Sequence, residues 1–299
     1  MSAVAERQST PQTAVPANVG APVKVIEPWQ RGLRNRFKEA VRGRGMIPYY
    51  GKSYIRRRYR NTWLGWIWLP LRPAIDNISK AFLFGGLLGA QYGDRPAIIF
   101  LTFGNSGWLL FQRTSYWGTR SMRVSRSFVR NAHPAWLPRL VAILIPSAMD
   151  FFLSVVVAIA AVLYYWIFRG EMYLVPSKAM LIGIGGIIWL AALGVGLGWC
   201  LAPFSQFTRD IRYSFVYVMQ FWYYVTPVVY DLDHIPKQYR VIAEYNPLTA
   251  PVMLVRHGFL GTGFPPHTSM MVAVIGVFVF LLLGLSMVNR FERSAVSRL

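Results

Sequence analysis

Residues 204–251 read FSQFTRDIRYSFVYVMQFWYYVTPVVYDLDHIPKQYRVIAEYNPLTAP. A charged turn, Arg209-Asp210-Ile211-Arg212, leads into about twenty aromatic and aliphatic residues, the length that crosses a bilayer. The run stops at Thr226-Pro227. A Pro- and Tyr-rich loop follows, with Ile235-Pro236 and Asn246-Pro247-Leu248. The order of parts predicts a span with a charged foot at one end and a shaped loop at the other.

The rest of the chain fits a membrane setting. It has 299 residues, 54% of them hydrophobic, and only 15% are charged, against roughly 25% in soluble domains. Mean hydropathy is +0.34. The net charge is +20. A soluble protein so basic would suggest nucleic acid, but here the basic residues lie between apolar runs, as cytoplasmic loops on anionic lipid do. No nucleic acid partner is expected. The single cysteine, Cys200, lies in an apolar run and allows no internal disulfide.

Residues 1–28 are rich in Ala, Pro, Gln, Ser and Thr, and read as an uncleaved, disordered cytoplasmic tail. Residues 29–62 form the next unit. Trp29, Leu33, Phe37 and Val41 recur every fourth residue, with Arg31, Arg34, Lys38, Arg42 and Arg44 on other faces. The pattern predicts an amphipathic helix lying in the interface, followed by a basic linker. Gly51-Lys52-Ser53 imitates the end of a phosphate loop, but Met46 stands where its first glycine must be, so no nucleotide site is expected in this chain.

Residues 63–299 make the membrane domain, with hydrophobic segments at 66–90, 96–118, 139–168, 178–203, 211–230 and 269–289. Each is long enough to cross. With the N-terminus inside, 21 Lys and Arg fall on the cytoplasmic side and 5, Arg256 among them, on the other. Both termini are therefore expected in the cytoplasm. The fold class is all-α and integral to the membrane: six spans, an N-terminal interfacial amphipathic helix, and short re-entrant helices before the last span.

Polar residues inside the segments mark candidate sites. Arg72, Asp76 and Lys80 are four apart and share one helix face. They either line a polar path that meets a phosphate-bearing substrate, or form a structural ion pair with Arg72 reaching for the interface. Asp150 reads as an anchor for a neighbouring arginine. Gly85/Gly89 and Gly194/Gly198 allow close helix approach, within a subunit or between copies. In the fifth segment Tyr213, Tyr217, Phe221 and Tyr224 recur at helical spacing, which suits stacking on sugar rings or a buried helix contact. Asp231, Asp233, His234, Glu244 and His257 gather beyond it, and such groups can hold a divalent ion or do acid–base work. No complete metal or catalytic motif accompanies them, so neither is expected.

Two motifs are more specific. Residues 54–73, YIRRRYRNTWLGWIWLPLRP, and the ordered set Arg209-Asp210-Ile211, Thr226-Pro227-Val228-Val229-Tyr230, Ile235-Pro236 and Asn246-Pro247-Leu248 resemble type-2 ABC transporter permeases that export polysaccharides. The likeness covers Trp29 to the C-terminus. It departs from the family in the charged stripe of the first segment and in the long tail. The resemblance implies the transmembrane subunit of a bacterial inner-membrane exporter that works as a homodimer on two copies of a separate ABC ATPase. ATP and Mg belong to that partner, and this chain carries no cofactor. It further implies coupling through Arg120, Arg123, Arg126, Arg130 and His133 in one cytoplasmic loop and Arg209 and Asp210 in another. Arg72, Asp76, Lys80, Tyr217, Phe221 and Tyr224 then become candidates for the substrate path. The substrate class implied is a lipid-linked O-antigen, teichoic-acid or galactan-type polymer. The ratio of 26 Arg to 6 Lys leans towards a GC-rich genome and a galactan. A drug or small-lipid exporter of the same fold, and a membrane-embedded glycan-modifying enzyme using the acidic loop, are the competing readings.

Overall fold

A computed structural model describes residues 43–59, 67–124, 136–174 and 177–296. The Trp29–Val41 repeat and the loop residues Arg126, Arg130 and His133 lie outside them. All regular structure among the described residues is helical. The helices are α1 (Met46–Tyr59), α2 (Trp68–Lys80), α3 (Ala97–Val124), α4 (Trp136–Val141), α5 (Leu144–Arg169), α6 (Ala179–Leu201), α7 (Phe204–Phe207), α8 (Asp210–Val225), α9 (Lys237–Glu244), α10 (Thr249–Leu260) and α11 (His267–Val296).

Three of these, α5, α6 and residues 267–291 of α11, are long and apolar enough to cross a membrane. The remaining expected segments differ from simple spans for identifiable reasons. α2 continues as a π-helix over Ala81–Leu87, and Gly89 ends it with φ +62°. α3 has the length, 28 residues, but Arg113 and Arg120 interrupt its apolar surface. Expected segment 139–168 breaks at Ala142-Ile143 into α4 and α5. Pro146 explains the break, because it has no N–H to return to Ala142. α8 is only 16 residues long. It stops at Thr226, extended at ψ 136°, because Pro227 disfavours the helical conformation in the residue before it.

The bundle is built around α6, which is apolar on every side and packs most extensively on α3, α10 and α11. Glycines on different faces let each neighbour approach to backbone contact. A Cβ on Gly194 would lie 2.8 Å from the Phe111 carbonyl oxygen, one on Gly198 2.8 Å from Gly118 Cα, and one on Gly196 2.7 Å from the Phe280 carbonyl carbon. The Gly194/Gly198 motif thus packs α6 on α3 within the chain. Gly85/Gly89 is not a packing pair of that kind, because Gly89 has left the helix and nothing lies near it.

The stretch between α8 and α11 holds two short helices, and α10 is almost wholly buried. Arg256, on α10, corrects its expected place among the outer loop cations: it is 2% exposed. Its guanidinium donates to the carbonyls of Pro227 and Tyr230 and covers the Phe100 ring at 4.2 Å. Tyr92 donates to the Val229 carbonyl at 2.8 Å. Where α8 breaks, side chains from α3's approach and α10 satisfy the freed backbone, as a non-aqueous setting requires.

Gly198→Ala is expected to lower the thermal midpoint of the detergent-solubilised protein, at a cost of about 1–3 kcal/mol for overpacking. Gly185, with nothing within 4 Å of its Cβ position, is the control: Gly185→Ala should be neutral or stabilising by up to about 1 kcal/mol.

Candidate functional site: a charged cavity beside an aromatic helix face

A cavity of about 400 Å³ opens between α2, α3, α5 and α8. The helical spacing of Arg72, Asp76 and Lys80 points all three into its wall, so the sequence stripe and the cavity coincide. Lys80 Nζ donates to Asp76 Oδ2 at 2.6 Å and to Asn105 Oδ1 at 2.9 Å, and lies 4.4 Å above the Tyr223 ring. Asn105 returns its amide to Asp76 Oδ2 and to Asn77 Oδ1, both at 2.8 Å. One cation thereby ties α2 to α3 by hydrogen bonds and to α8 through an aromatic face. Arg72 is exposed and stacks on Trp68 at 5.6 Å. The stripe is therefore an ion pair with a cation at its rim.

Asp150 of α5 meets Arg113 of α3, Nε to Oδ2 at 3.3 Å, as the anchoring expectation held. Both line the same cavity. Ser106 and Ser154 join the same two helices at 2.7 Å. Arg113, Asn105, Gln112, Gln220 and Tyr223 are site residues that sequence reasoning missed. Arg113 and Asn105 were legible as polar residues in an apolar run on the helix facing the stripe. Tyr223 was hidden among neighbouring aromatics.

The α8 aromatics divide by face. Phe215, Met219 and Tyr223 are buried in the core. Tyr217 and Phe221 are 73% and 72% exposed, and Tyr213 and Tyr224 are exposed with them. Tyr224 also lines the cavity, which joins the two surfaces. Of the expected substrate-path residues, Arg72, Asp76, Lys80 and Tyr224 line the cavity, and Tyr217 and Phe221 lie outside it on the exposed side of α8.

The expected coupling residues are less fully placed. Arg120 stacks its guanidinium 3.7 Å from the Tyr116 ring centroid at the end of α3. Arg123 lies in the last turn of that helix, and its side chain is outside the description, as are Arg126, Arg130 and His133. Arg209 and Asp210 are exposed at the start of α8. The Ser205 hydroxyl donates to the Thr119 carbonyl, so the turn before α8 is fixed to the end of α3 that bears Arg120.

The acidic loop is engaged in local structure. Asp231 accepts from the Leu232 amide, Arg240 pairs with Asp233 and Glu244, and His257 Nδ1 meets the Thr262 carbonyl. Among the described residues no three His, Cys, Asp or Glu side chains converge to hold a metal.

Apolar helices enclosing a polar cavity suit a membrane protein, and the family comparison agrees. The model of the ABC-2 type transporter family matches residues 50–260. The chain belongs to that family. Membership makes it a membrane transporter subunit and not a catalyst, with both quoted motifs and the cavity helices inside the matched region. Among curated proteins it is similar to the O-antigen export system permease protein RfbA of Klebsiella pneumoniae, 25% identical over 80% of this chain and 88% of that protein. It is also similar to the polysialic acid transport protein KpsM of Escherichia coli (20% identical; 81% and 92% covered) and to the RfbA permease of Myxococcus xanthus (21%; 86% and 95%).

Asn105→Leu should destabilise this transporter subunit by about 3 kcal/mol, because it strips a buried donor from Asp76 and Asn77 and an acceptor from Lys80. Asp233→Asn, which breaks an exposed pair, should cost less than about 0.5 kcal/mol in the same thermal or denaturant assay.

Proposed function

We propose that this chain is the permease subunit of an ATP-driven exporter that moves a lipid-linked polysaccharide out of the bacterial cytoplasm. The observation that carries the reading is the exposed aromatic face of α8 continuing into a polar cavity inside a fold of the ABC-2 family. The relatives named for O-antigen export and polysialic acid transport support the same substrate class. An O-antigen fits those names best. A teichoic-acid or galactan-type polymer is the narrower choice that the arginine-rich composition favours.

In this reading the chain crosses the inner membrane six times with both ends in the cytoplasm. α2 with its π-helical extension, α3 and α8 supply the crossings that are too polar or too short to stand alone in lipid. Those same helices supply the reason for a homodimer. Arg72 and Asp76 are exposed, and the cavity opens between α2 and α8. Charges in hydrocarbon need protein or water beside them, and a second copy placed on this face provides both. A separate ABC ATPase, in two copies with ATP and Mg, acts from below on Arg209, Asp210 and the loop after Arg120. Its closure moves α3 and α8 together, since Ser205 joins them, in a rigid-body change between two states. The helices α9 and α10 act as re-entrant elements at the outer exit, where Arg256 satisfies the irregular backbone.

Deletion of the gene should abolish surface polymer, and the tagged subunit should co-purify with an ABC ATPase. Neither event occurring would overturn the proposal. An Asp231→Asn/Asp233→Asn double variant should restore export fully; loss of export in that variant would favour an enzyme acting through the outer loop. With Cys200→Ser as background, Tyr217→Cys should cross-link two copies, and Ile184→Cys on the far side of the bundle should not.

A further inference from the structure

α2 continues past Lys80 as a π-helix over Ala81–Leu87, and the Leu88 N–H donates to the Leu83 carbonyl, five residues back, at 3.0 Å. The Ala90 N–H then reaches the Phe84 carbonyl, six back, at 2.8 Å. A π-turn holds about one residue more than an α-turn, and such turns are rare and gather at functional sites. None of the seven residues is buried. Their tightest neighbour is Ala97 at the start of α3, against which Gly85 lies.

The wide turn joins two anchored ends. Before it, Lys80 donates to Asn105 at 2.9 Å and lies over the Tyr223 ring. After it, Tyr92 donates to the Val229 carbonyl and stacks on Phe100 at 4.4 Å, and Arg95 donates to the Leu260 carbonyl at 2.8 Å. A surplus residue is thus stored between them. Closing the turn to the α register with the Tyr92 end held turns α2 by about 100° and carries it about 1.5 Å along its axis. Each residue of α2 then takes the place of the one before it.

The sequence of α2 suits both places. Asp76 and Lys80 are four apart on one helix, so their 2.6 Å ion pair travels intact and neither charge is left unmatched. They come to the places that Ile75 and Ser79 hold now, both exposed, and Arg72 moves with them at the rim. Asn77, whose Nδ2 has no partner among the described residues, comes to the place of Asp76 before the Asn105 amide. Two facing amides can pair in both directions. Ile78, now 56% exposed, takes the fully buried place of Asn77, which removes apolar surface from its surroundings. Ala81 replaces Lys80 beside Tyr223.

We propose that Ala81–Leu87 is a slip joint, whose change between π and α register withdraws the Asp76–Lys80 pair from the cavity wall and returns it while the Tyr92 end stays in place. The wall thereby alternates between a charged face and a neutral one made of Asn77 and Ala81, with no proton moved. The inference rests on the export reading only for what drives the joint, the cycle of the partner ATPase.

Spin labels at Ile75→Cys on α2 and Ile184→Cys on α6, both exposed positions, report the register in a Cys200→Ser background. The full permease, diluted with unlabelled copies in lipid nanodiscs, is measured by double electron–electron resonance alone, with its ATPase, and with ATP and vanadate. The turn moves a side-chain tip by about 8 Å, so two distance populations are expected. Their ratio should change by about fivefold or more between the nucleotide-free and trapped complexes. A rigid swing of α2 would also change the distance, so a deletion decides between them. Removing Phe82, or Leu83 in a second variant, both exposed, takes out the stored residue and lets the segment close in the α register with both anchors kept. Each deletion should keep the thermal midpoint and fix the distance at one value in every state. One distance in the wild type throughout, a ratio unchanged in a complex with bound ATPase, two distances persisting in the deletions, or failure of both deletions to fold would overturn the joint. A bound, active ATPase with one fixed distance removes the joint alone. Two distances with no ATPase bound remove the export reading alone.

Discussion

Close backbone approach at α6 is the constraint on which the bundle depends. A helix with no polar face has no preferred side, so its neighbours are chosen by shape, and glycine sets that shape. α3 and α11 both come within backbone contact of it. Fixing α3 so tightly on one side leaves its other side to carry Asn105, Gln112 and Arg113, the residues that meet α2, α5 and α8. The cavity is therefore a product of the packing behind it. Polar side chains could not gather there unless the opposite face of α3 were already sealed.

The more buried charges of this apolar setting are each matched by a nearby partner. Asp76 answers Lys80, Asp150 answers Arg113, and serines join α3 to α5. At the Pro227 end of α8 the same demand falls on the backbone. Pro227 stops α8 and frees carbonyls that no helix can pair, and Arg256, with Tyr92, takes them up. A buried arginine is expensive alone, but several carbonyls and an aromatic face make it a fitting partner for a broken helix.

Much of this was legible in the sequence, and the limits have physical causes. The apolar runs that became α5, α6 and α11 announced themselves through composition alone. The Arg72/Asp76/Lys80 spacing placed three side chains on one face, and the structure keeps them there. Asp150 was assigned an arginine partner, and Arg113 proves to be it. By contrast, the end of α8 depends on Pro227 acting on Thr226, which hydropathy does not register. The break before α5 likewise follows from Pro146. Arg256 looked like a loop cation because a periodicity argument cannot show that a short helix is enclosed. Gln112, Gln220 and Tyr223 were missed because sites assembled from four helices leave no mark in any one of them. The family motifs covered the regions that set the fold and, of the cavity lining, only Arg72 and Pro73.

The two ends of α8 are held in very different ways. At Thr226 the helix meets Arg256, Tyr92 and Asn246, which accepts from Trp222 and donates to Thr226. At Arg209 the exposed turn is tethered to its neighbour chiefly through Ser205. A rod of 16 residues, about 24 Å long, is thus held by many contacts at its Thr226 end and by few at its Arg209 end. In the proposed export cycle, a push at the foot would swing the exposed aromatic side and the cavity wall about the end held by Asn246 and Arg256. On that reading the place where force would enter is separate from the place where shape is kept, with Pro227 beside the pivot.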